Sequence, residues 1–530
     1  MKNNKIYLPI FLSIAIAIGI FIGSNLDYEN QTAMLFGNSP QEAKIKRLID
    51  FIEYDYVDSV NTDSLLDGTI KNIVAKLDPH SVYIPAKDHS RIDEKMNGKF
   101  VGIGIQFRMY RDSLTVIKTI KNGPSEIAGI KGGDRILIAN KDTIFGKKMN
   151  TDSIVSRLKG KSNTNVELLI YRKSEDELFT VNVIRGDIPI NSIDVSYMID
   201  DDLGYVKLNS FTATSYIEFK KQLLKLKRKG MQKLILDLRG NPGGFIGVTT
   251  DIIDEFLEDN KLMVFTKDKK GKVEKTFATA KGDFENGKIY VLIDENSASA
   301  SEILAGALQD NDKGIIVGRR SFGKGLVQQD MKLGDGSSVR LTTARYYTPT
   351  GRSIQKPYRL NHKKEYYNDG FRKRFSAGEL TSADSIKVVD SLKFITPKGK
   401  IVYGGGGITP DVFVSIDTTS VFNNFHFRML NDFVFNYIDT HRKEFDNLSL
   451  ELFLEDFDID EVIYNLYIKK VDKKYYKNEK IANQIKFYLK ANFAQELFDD
   501  EGFYRVLNTD DNMINKVLDL EMNQIDGFKD

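Results

Sequence analysis

The feature that most constrains the fold is a regular alternation of short apolar runs and helical stretches between residues 190 and 350. Each run has the length of a strand and is almost entirely apolar, which is typical of strands covered on both faces. The runs are Leu234–Leu238, Ile289–Ile293 and Gly314–Val317, and the helical stretches between them are Val248–Leu257 and Ser299–Leu308. This alternation predicts an α/β sheet covered by helices. Residues 337–347 and 401–414 are expected to add strands.

A different pattern precedes this core, because residues 98–186 read as short strands separated by glycine turns. This pattern predicts a small β-rich module. Residues 25–97 are expected to form a linker and a small N-terminal helical region. The helical part is indicated by the periodicity of apolar residues in 41–77. The α/β core is expected to span 187–415, and residues 416–530 form a charged helical region to which we assign no role.

The N-terminus has the charge pattern of an export signal. Lys2 and Lys5 precede an almost continuous apolar run, Ile6–Ile22, whose length suits a bilayer span. No convincing small-residue cleavage site follows, so we expect residues 1–24 to remain as a transmembrane anchor. Because the basic residues come first, the positive-inside rule places the rest of the chain outside the cytoplasm, on the periplasmic side of the inner membrane.

Composition excludes several classes of function. The net charge is only +2 and no basic block of domain size is present, which argues against nucleic acid as a partner. The chain has no cysteine, so disulfides, thiol nucleophiles and Cys-zinc sites are excluded. The five histidines form no ligand spacing with carboxylates, so no metal is expected.

The densest chemical signal is the segment Asn296–Ile303, which follows a predicted strand and opens a predicted helix. A serine at such a turn lies at the positive end of the helix dipole, where backbone N–H groups can stabilise an oxyanion. Ser299 is therefore a candidate nucleophile. A simpler interpretation also fits, because Ser299 and Glu302 have the spacing of a helix capping box.

The second signal is Lys324, which lies between two glycines after a predicted strand. Three interpretations compete for it. A phosphate loop starting at Gly318 lacks the final Ser or Thr that binds magnesium. An S-x-x-K site with Ser321 requires a helix, which the flanking glycines oppose. The third interpretation pairs Lys324, as a desolvated neutral base, with the distant Ser299.

The third signal is Asp237–Gly244, which also leaves a predicted strand and precedes a helix. Its glycines would let backbone N–H groups approach a ligand and supply an oxyanion donor, although a structural turn uses glycine in the same way. All three segments leave the carboxyl ends of predicted strands, where open α/β sheets place their sites. The histidines lie outside these segments, which argues against a histidine-based triad, and His80 is expected to be structural.

These motifs, taken in order, resemble the carboxyl-terminal processing peptidases, which are tail-specific serine proteases with an inserted PDZ domain. The order is LDPHSVYI, GIGI, AGIKGGDRIL, LDLRGNPGG, SASASEILAGALQD and SFGKGLVQ. The resemblance covers about residues 40–415 and leaves out the N-terminal anchor and the last hundred or so residues. It implies an α/β protease core with a PDZ domain inserted at 98–186.

The resemblance also implies roles for three residues of a catalytic group. Ser299 corresponds to the family's nucleophile and Lys324 to its general base. Gln328 corresponds to a glutamine that orients the lysine in several members. The chain keeps the family's residue at each of these positions, which argues against an inactive relative.

Further positions match the family's oxyanion hole and a supporting acid. Ala300 corresponds to the residue that supplies one oxyanion N–H group. Gly243 or Gly244 corresponds to the residue that supplies the other, and the sequence does not choose between them. Asp310 matches an acidic position that some members need.

The PDZ resemblance implies a peptide-binding site. Such a domain captures a free carboxylate with successive backbone N–H groups while the peptide adds a strand to a sheet edge. The groove helix is expected at Thr151–Leu158, although its apolar Ile154 and Leu158 also suit an ordinary β-domain core. The residues that resemble the carboxylate loop are Val101, Gly102, Ile103, Gly104 and Ile105.

The resemblance therefore implies a serine endopeptidase that recognises exposed C-terminal tails of envelope proteins and cleaves peptide bonds through an acyl-enzyme. It implies no metal, nucleotide or organic cofactor. The alternative is a catalytically silent PDZ scaffold in the cell envelope, against which the intact Ser299 and Lys324 argue. A tricorn-type peptidase shares the core but typically recruits a different base. The sequence leaves the oligomeric state open, a homo-oligomer included.

Overall fold

The structure is a computed structural model of the 530-residue chain. It describes Ser13 and residues 40–110, 112–146, 149–360, 362–418, 424–471 and 479–526. Apart from Ser13, the predicted anchor at residues 1–24 lies outside this range and stays a prediction. Within the described residues no helix combines the length and apolar character needed to cross a bilayer. The chain divides into two compact units, one up to Ile73 and one from Val74 onward.

The region around residues 41–77 is helical, as its periodicity predicts. Helix α1 spans Pro40–Asp55, and helix α2 spans Thr62–Ala75, whose last two residues belong to the second unit. The second unit then continues with strand β1 (Val82–Ile84) and helix α3 (Ala86–Asn97).

The predicted β-rich module is an antiparallel sheet with its own apolar core. Its strands are β2 (Lys99–Gly102), β3 (Ile105–Tyr110), β4 (Ser113–Thr119), β5 (Asp134–Ala139), β6 (Asp142–Thr143), β7 (Asn165–Arg172), β8 (Glu177–Ile184) and β9 (Gly186–Pro189), and its helices are α4 (Pro124–Ile127) and α5 (Thr151–Leu158). The sheet runs β3-β4-β5-β7-β8, with β6 paired to β5, and β3 is an edge strand. Strands β2 and β9 pair where the chain enters and leaves the module.

The core that follows has the predicted alternation of strands and helices. Its elements are β10 (Ile193–Met198), β11 (Leu203–Leu208), α6 (Ser215–Arg228), β12 (Lys233–Asp237), α7 (Ile246–Asp254), β13 (Leu262–Asp268), β14 (Val273–Phe277), β15 (Lys288–Ile293), α8 (Ala300–Asp310), β16 (Gly314–Gly318), β17 (Leu326–Lys332), β18 (Ser338–Tyr347), α9 (Lys363–Ser376), β19 (Lys393–Ile395), β20 (Ile401–Tyr403) and β21 (Val412–Phe413). Six strands form the main sheet in the order β10-β11-β12-β15-β16-β21, parallel except for the β10–β11 pair.

The two faces of the main sheet are buried under different parts of the chain. Because successive strand residues point to opposite faces, Leu234 and Leu236 pack in the cluster formed with α6, α7 and α8. Ile235 between them packs in a second cluster on the other face, together with Tyr290 of the next strand. Burial on both faces is the reason why these strands read as apolar runs.

A second sheet joins segments from both sides of the inserted module. Its order is β1-β18-β13-β14, and β17 pairs with β18 as an antiparallel hairpin. Strand β1 precedes the module in the chain, whereas β18 follows it, and the two strands pair through Val82–Ile84 and Ser338–Arg340. The β-rich module is therefore an insertion within the core.

The charged C-terminal region is a helical assembly with an apolar core of its own. Its helices are α10 (Asn424–His441), α11 (Leu450–Asp456), α12 (Glu461–Ile468), α13 (Glu479–Leu507) and α14 (Asn512–Asp526), with non-helical backbone at Phe498 and Asp499 inside α13. The second face of the main sheet is covered by α14, which contributes Met513, Ile514 and Val517 to the cluster around Tyr290.

The same helical region also forms ion pairs with the β-rich module. Arg108 of β3 lies 3.3 Å from Glu496 of α13, measured from Nη2 to Oε1. Asp439 of α10 accepts from Arg135 Nη2 at 3.1 Å and from Lys173 Nζ at 2.8 Å. Residues for which the sequence predicts no role therefore contact both the inserted module and the core.

Candidate active site

The three candidate segments meet at one edge of the main sheet, as the sequence predicts. They follow β12, β15 and β16, which are adjacent and parallel, so that their carboxyl ends coincide. Two hydrogen bonds join the loops directly. Ser297 Oγ donates to the carbonyl oxygen of Leu238 at 2.8 Å, and the Phe322 N–H group donates to the carbonyl oxygen of Ser297 at 3.0 Å.

Ser299 has a strained backbone. It immediately precedes α8, with φ 56° and ψ −111°. This conformation is rare for any residue with a side chain and costs on the order of 1–3 kcal/mol. The neighbouring residues hold the turn in place, because Ser301 Oγ and the Ala298 N–H group both donate to the carbonyl oxygen of Asn241 at 3.0 Å. Strain retained at a strand-to-helix turn is typical of an exposed nucleophile.

Two glycines lie against this turn, and the structure distinguishes between them. A Cβ atom on Gly243 would lie 2.9 Å from the Cβ of Ser299 and 2.7 Å from the carbonyl oxygen of Ala298, so only glycine fits there. The N–H group of Gly243 donates to Asn241 Oδ1 at 2.8 Å and is therefore occupied. Among the described hydrogen bonds, the N–H groups of Gly244 and Ala300 have no protein acceptor, which makes them the available pair of oxyanion donors.

Glu302 connects the serine loop to the lysine loop. Its Oε2 atom accepts from the backbone N–H groups of Ser299 and Lys324, each at 2.8 Å. Its Oε1 atom accepts from Ser321 Oγ at 2.5 Å and from the Gly323 N–H group at 2.7 Å. Burial raises the pKa of Glu302 to about 7, against the four hydrogen bonds that lower it. The capping-box spacing of the sequence is present, and the same carboxylate also positions Lys324.

The environment of Lys324 favours its neutral form. The side chain is partly buried, and burial lowers its pKa from the usual lysine value. The charge of Arg340 lowers this pKa further, whereas those of Glu302 and Asp78 raise it. Lys324 Nζ donates to Gln328 Oε1 at 2.9 Å, which places Gln328 where the family resemblance expects it. A lysine with a lowered pKa can act as a general base.

His80 positions Gln328 through its backbone, a role that the sequence does not reveal. Gln328 Nε2 donates to the carbonyl oxygen of His80 at 2.6 Å. The buried His80 ring lies between two tyrosines, with Nε2 3.1 Å from Tyr366 Oη and Nδ1 2.7 Å from Tyr367 Oη. Burial lowers the pKa of His80 to about 3, and the charge of Lys324 lowers it further, so the ring is neutral. The ring has a structural role, as predicted. The backbone of the same residue contacts Gln328, which belongs to the candidate site.

Tyr346 is a second contributor that sequence patterns do not identify. It is fully buried on β18. Its hydroxyl group lies 2.5 Å from the carbonyl oxygen of Lys324 and 3.1 Å from that of Ser299. The same two residues that share the Glu302 carboxylate through their N–H groups thus share Tyr346 through their carbonyl groups.

Two further predictions concern residues around this group. Asp310 lies at the opposite end of α8 from Ser299, where its Oδ1 atom is 2.6 Å from Arg352 Nη2 in a fully buried ion pair. It therefore supports the fold around Thr350 and Arg352 rather than touching Ser299 or Lys324. Ser321 is buried, and its backbone is not helical, which is inconsistent with an S-x-x-K site.

The predicted carboxylate loop connects β2 and β3 of the inserted module. Gly104 has φ 73°, which favours glycine and turns the chain into the edge strand β3. Helix α5 lies in the same module, but its Ile154 and Leu158 are buried in the module core, so they are core residues as the simpler interpretation expects. The loop, the edge strand and the helix are the parts that a strand-adding peptide site requires. The full loop comprises Val101, Gly102, Ile103, Gly104 and Ile105.

Replacing Glu302 by glutamine is expected to lower kcat/KM by about 10²-fold, because in either orientation its amide nitrogen would face at least one buried N–H donor. It would also move the pH dependence of kcat/KM to lower pH. The charge of Glu302 raises the pKa of Lys324, so its removal leaves more of the lysine neutral at a given pH. The measurement is kcat/KM as a function of pH, with rising activity expected as Lys324 loses its proton.

The matched control for this change is Glu295→Gln. Glu295 lies in the loop that precedes α8 and is also buried, but it forms an ion pair with Arg319 at 2.7 Å. This control is expected to leave the pH dependence in place. An unshifted profile in Glu302→Gln would show that its charge does not reach Lys324.

Comparison with known families identifies four segments. Residues 202–360 match peptidase family S41, and residues 101–183 match the PDZ domain. Residues 23–88 match the N-terminal domain of the activating protease CtpB. Residues 425–499, within the C-terminal helical region, match a family of unknown function, DUF8443. The β-rich module is therefore a PDZ domain.

Curated relatives extend this similarity over most of the chain. The carboxy-terminal processing protease CtpB of Bacillus subtilis (strain 168) is 31% identical over 355 residues, or 65% of this chain and 71% of the relative. The carboxy-terminal-processing protease of Bartonella bacilliformis is 32% identical over 345 residues, or 64% of this chain and 78% of the relative.

Among solved structures, a photosystem II D1 C-terminal processing protease matches at 23% identity, with a TM-score of 0.36, over 70% of this chain and 86% of that one. The family assignment rests on the relatives that are similar in sequence. They confirm the predicted resemblance and the serine-type enzyme class. The chain belongs to the carboxy-terminal processing proteases of peptidase family S41.

Proposed function

We propose that this protease cleaves peptide bonds with Ser299 as nucleophile and Lys324 as general base. The observation that carries the proposal is the shared carboxylate of Glu302, one oxygen of which accepts from the N–H groups of both residues at 2.8 Å. The backbones of two residues 25 positions apart are thereby held in one hydrogen-bonded group, which supports their proposed roles as a nucleophile and its base.

In the proposed reaction, neutral Lys324 takes the proton of Ser299 Oγ while this oxygen attacks the carbonyl carbon of the scissile bond. The N–H groups of Ala300 and Gly244 stabilise the resulting oxyanion. When the intermediate collapses, Lys324 returns the proton to the leaving amine, and the acyl group stays on Ser299. Water then attacks the ester, with Lys324 accepting its proton, and Ser299 is regenerated with release of the carboxylic acid.

The proposed substrates are proteins with exposed C-terminal tails, bound by the PDZ domain. A tail would pair with the edge strand β3, while the loop at Val101–Ile105 captures its carboxylate. The proposal also places the enzyme on the periplasmic side of the inner membrane, with envelope proteins as substrates. Support for this location comes from Lys2 and Lys5 before the apolar run Ile6–Ile22.

The test is hydrolysis of an unstructured protein with an apolar C-terminal tail, compared with the same protein carrying a C-terminal amide. We expect amidation to lower kcat/KM by about tenfold or more, because the backbone N–H groups of the loop would lose a charged acceptor. A short peptide that contains the cleavage site but no tail serves as the control for the active site itself. Equal cleavage of the free and amidated proteins would contradict tail recognition by the PDZ domain.

A further inference from the structure

A cavity of about 400 Å³ lies beside the loop that carries Lys324. Two of its lining residues, Arg345 and Lys356, are cationic, and none is acidic. The lining residues are Arg345, Ser353, Gln355, Lys356, Pro357 and Tyr358.

The cavity wall contacts the backbone on both sides of Lys324. The Lys356 N–H group donates to the carbonyl oxygen of Gly323 at 3.0 Å. The Gly325 N–H group donates to Gln355 Oε1 at 2.8 Å. A ligand in this cavity would therefore lie next to the segment that supplies the general base.

Lys356 is a partly buried cation without a carboxylate partner in the described part of the chain. Its Nζ atom lies 3.6 Å from the ring centre of Phe322 and 4.1 Å from that of Tyr366. Burial lowers the pKa of Lys356 to about 8, the charges of Arg374 and Arg320 lower it further, and that of Glu302 raises it. The aromatic rings stabilise the cation, but they do not neutralise its charge.

Four arginines of the same region are paired with carboxylates. Each forms an ion pair at 2.5 to 2.7 Å, whereas Arg345, like Lys356, forms no ion pair with a described residue. The pairs are Arg319–Glu295, Arg320–Glu379, Arg340–Asp330 and Arg352–Asp310. Two unpaired cations in a cavity without acids are complementary to an anion.

We propose that this cavity is a subsite for a carboxylate of the peptide substrate, bound by Lys356 and Arg345. The proposal rests on the peptidase function proposed above, because peptides supply the carboxylate. The group is either an acidic side chain near the scissile bond or the terminal carboxylate of a short primed-side segment. Both sources share the same chemistry, and the experiment separates them.

The test measures peptide binding by calorimetry to the full chain carrying Ser299→Ala, so that no turnover is needed. Three sets of short acetylated peptides are compared: amidated peptides with glutamate at each position in turn, their glutamine counterparts, and a peptide with uncharged side chains and a free terminal carboxylate. We expect a carboxylate to improve the dissociation constant by about tenfold at one position. In Ser299→Ala/Lys356→Met the effect is expected to vanish for the amidated peptides, and for the free-terminus peptide it is expected to shrink to the part that the PDZ domain contributes. Whether the glutamate or the free terminus shows it identifies the source.

Two controls keep the result interpretable. Lys356→Arg retains the charge and is expected to retain the carboxylate preference, with thermal melting showing that each variant is folded. Lys275→Met removes a charge from the exposed strand β14 and is expected to change nothing. Binding of a free terminus by the PDZ domain does not depend on Lys356 and would survive Lys356→Met.

The outcomes separate this subsite from the peptidase function. A wild-type chain that cleaves peptides without any carboxylate preference would overturn the subsite and leave the Ser–Lys mechanism in place. A glutamate preference among the amidated peptides that persists in Lys356→Met combined with Arg345→Gln would also overturn it, if the free-terminus preference is likewise unchanged in that variant. A Lys356-dependent preference in a chain without peptidase activity would support the subsite and contradict the proposed function.

Discussion

Replacing Ser299 by alanine, or Lys324 by methionine, is expected to lower kcat by on the order of 10⁴-fold or more. Without Ser299 Oγ no acyl-enzyme forms, and without Lys324 no neutral amine accepts the hydroxyl proton. Because the two residues act as one unit, the double variant is expected to be no less active than the single variants. The measurement is kcat on an unstructured protein substrate, with thermal melting to show that each variant folds.

The matched control is Lys332→Met, which removes an exposed lysine from the end of the same strand, β17. This variant is expected to retain full activity. Substantial turnover in Ser299→Ala or in Lys324→Met would contradict the Ser–Lys mechanism. Additive losses in the double variant would show that the two residues do not act together.

Replacing Val517 by aspartate is expected to lower the free energy of unfolding by about 4 kcal/mol or more. Val517 is completely buried where α14 covers the second face of the main sheet. An aspartate there would bring an unpaired charge or a protonated carboxyl group against apolar side chains. Urea denaturation followed by circular dichroism measures the effect.

Met522→Asp is the control, because it places the same side chain on the same helix at a position that is 57% exposed. It is expected to change the free energy of unfolding by less than about 0.5 kcal/mol. Equal stability of the two variants would show that α14 does not cover the sheet in solution.

The α/β core is predictable from the sequence because its signal is local. Strands of the main sheet, such as Ile289–Ile293, are buried on both faces and therefore read as apolar runs. The helices between them have their own periodicity. The meeting of the three loops also follows, since parallel neighbouring strands end at the same edge. The choice of Ser299 and Lys324 among competing interpretations came from the family resemblance.

Other parts of the site are not visible in any local pattern. The sequence predicts Glu302 as part of a cap, and only the fold shows that its carboxylate also binds the N–H group of Lys324. His80 acts through its carbonyl oxygen, an atom that every residue possesses, so residue type alone carries no information about this contact. In the sequence Tyr346 is an ordinary strand residue. Only the fold shows that its hydroxyl group contacts the carbonyl oxygens of Ser299 and Lys324.

The sequence by itself determined the alternation of strands and helices and the presence of a separate β-rich module, because both patterns depend on neighbouring positions in the chain. The assignment of Ser299 and Lys324 as the reactive residues came from the family resemblance and stays a prediction. Only the tertiary structure decided what covers the second face of the main sheet and what contacts the outer side of the PDZ domain. The C-terminal helical region covers that face through Val517, and it contacts the PDZ domain through Asp439. Contacts between residues hundreds of positions apart depend on packing, and packing leaves no periodic pattern in the sequence.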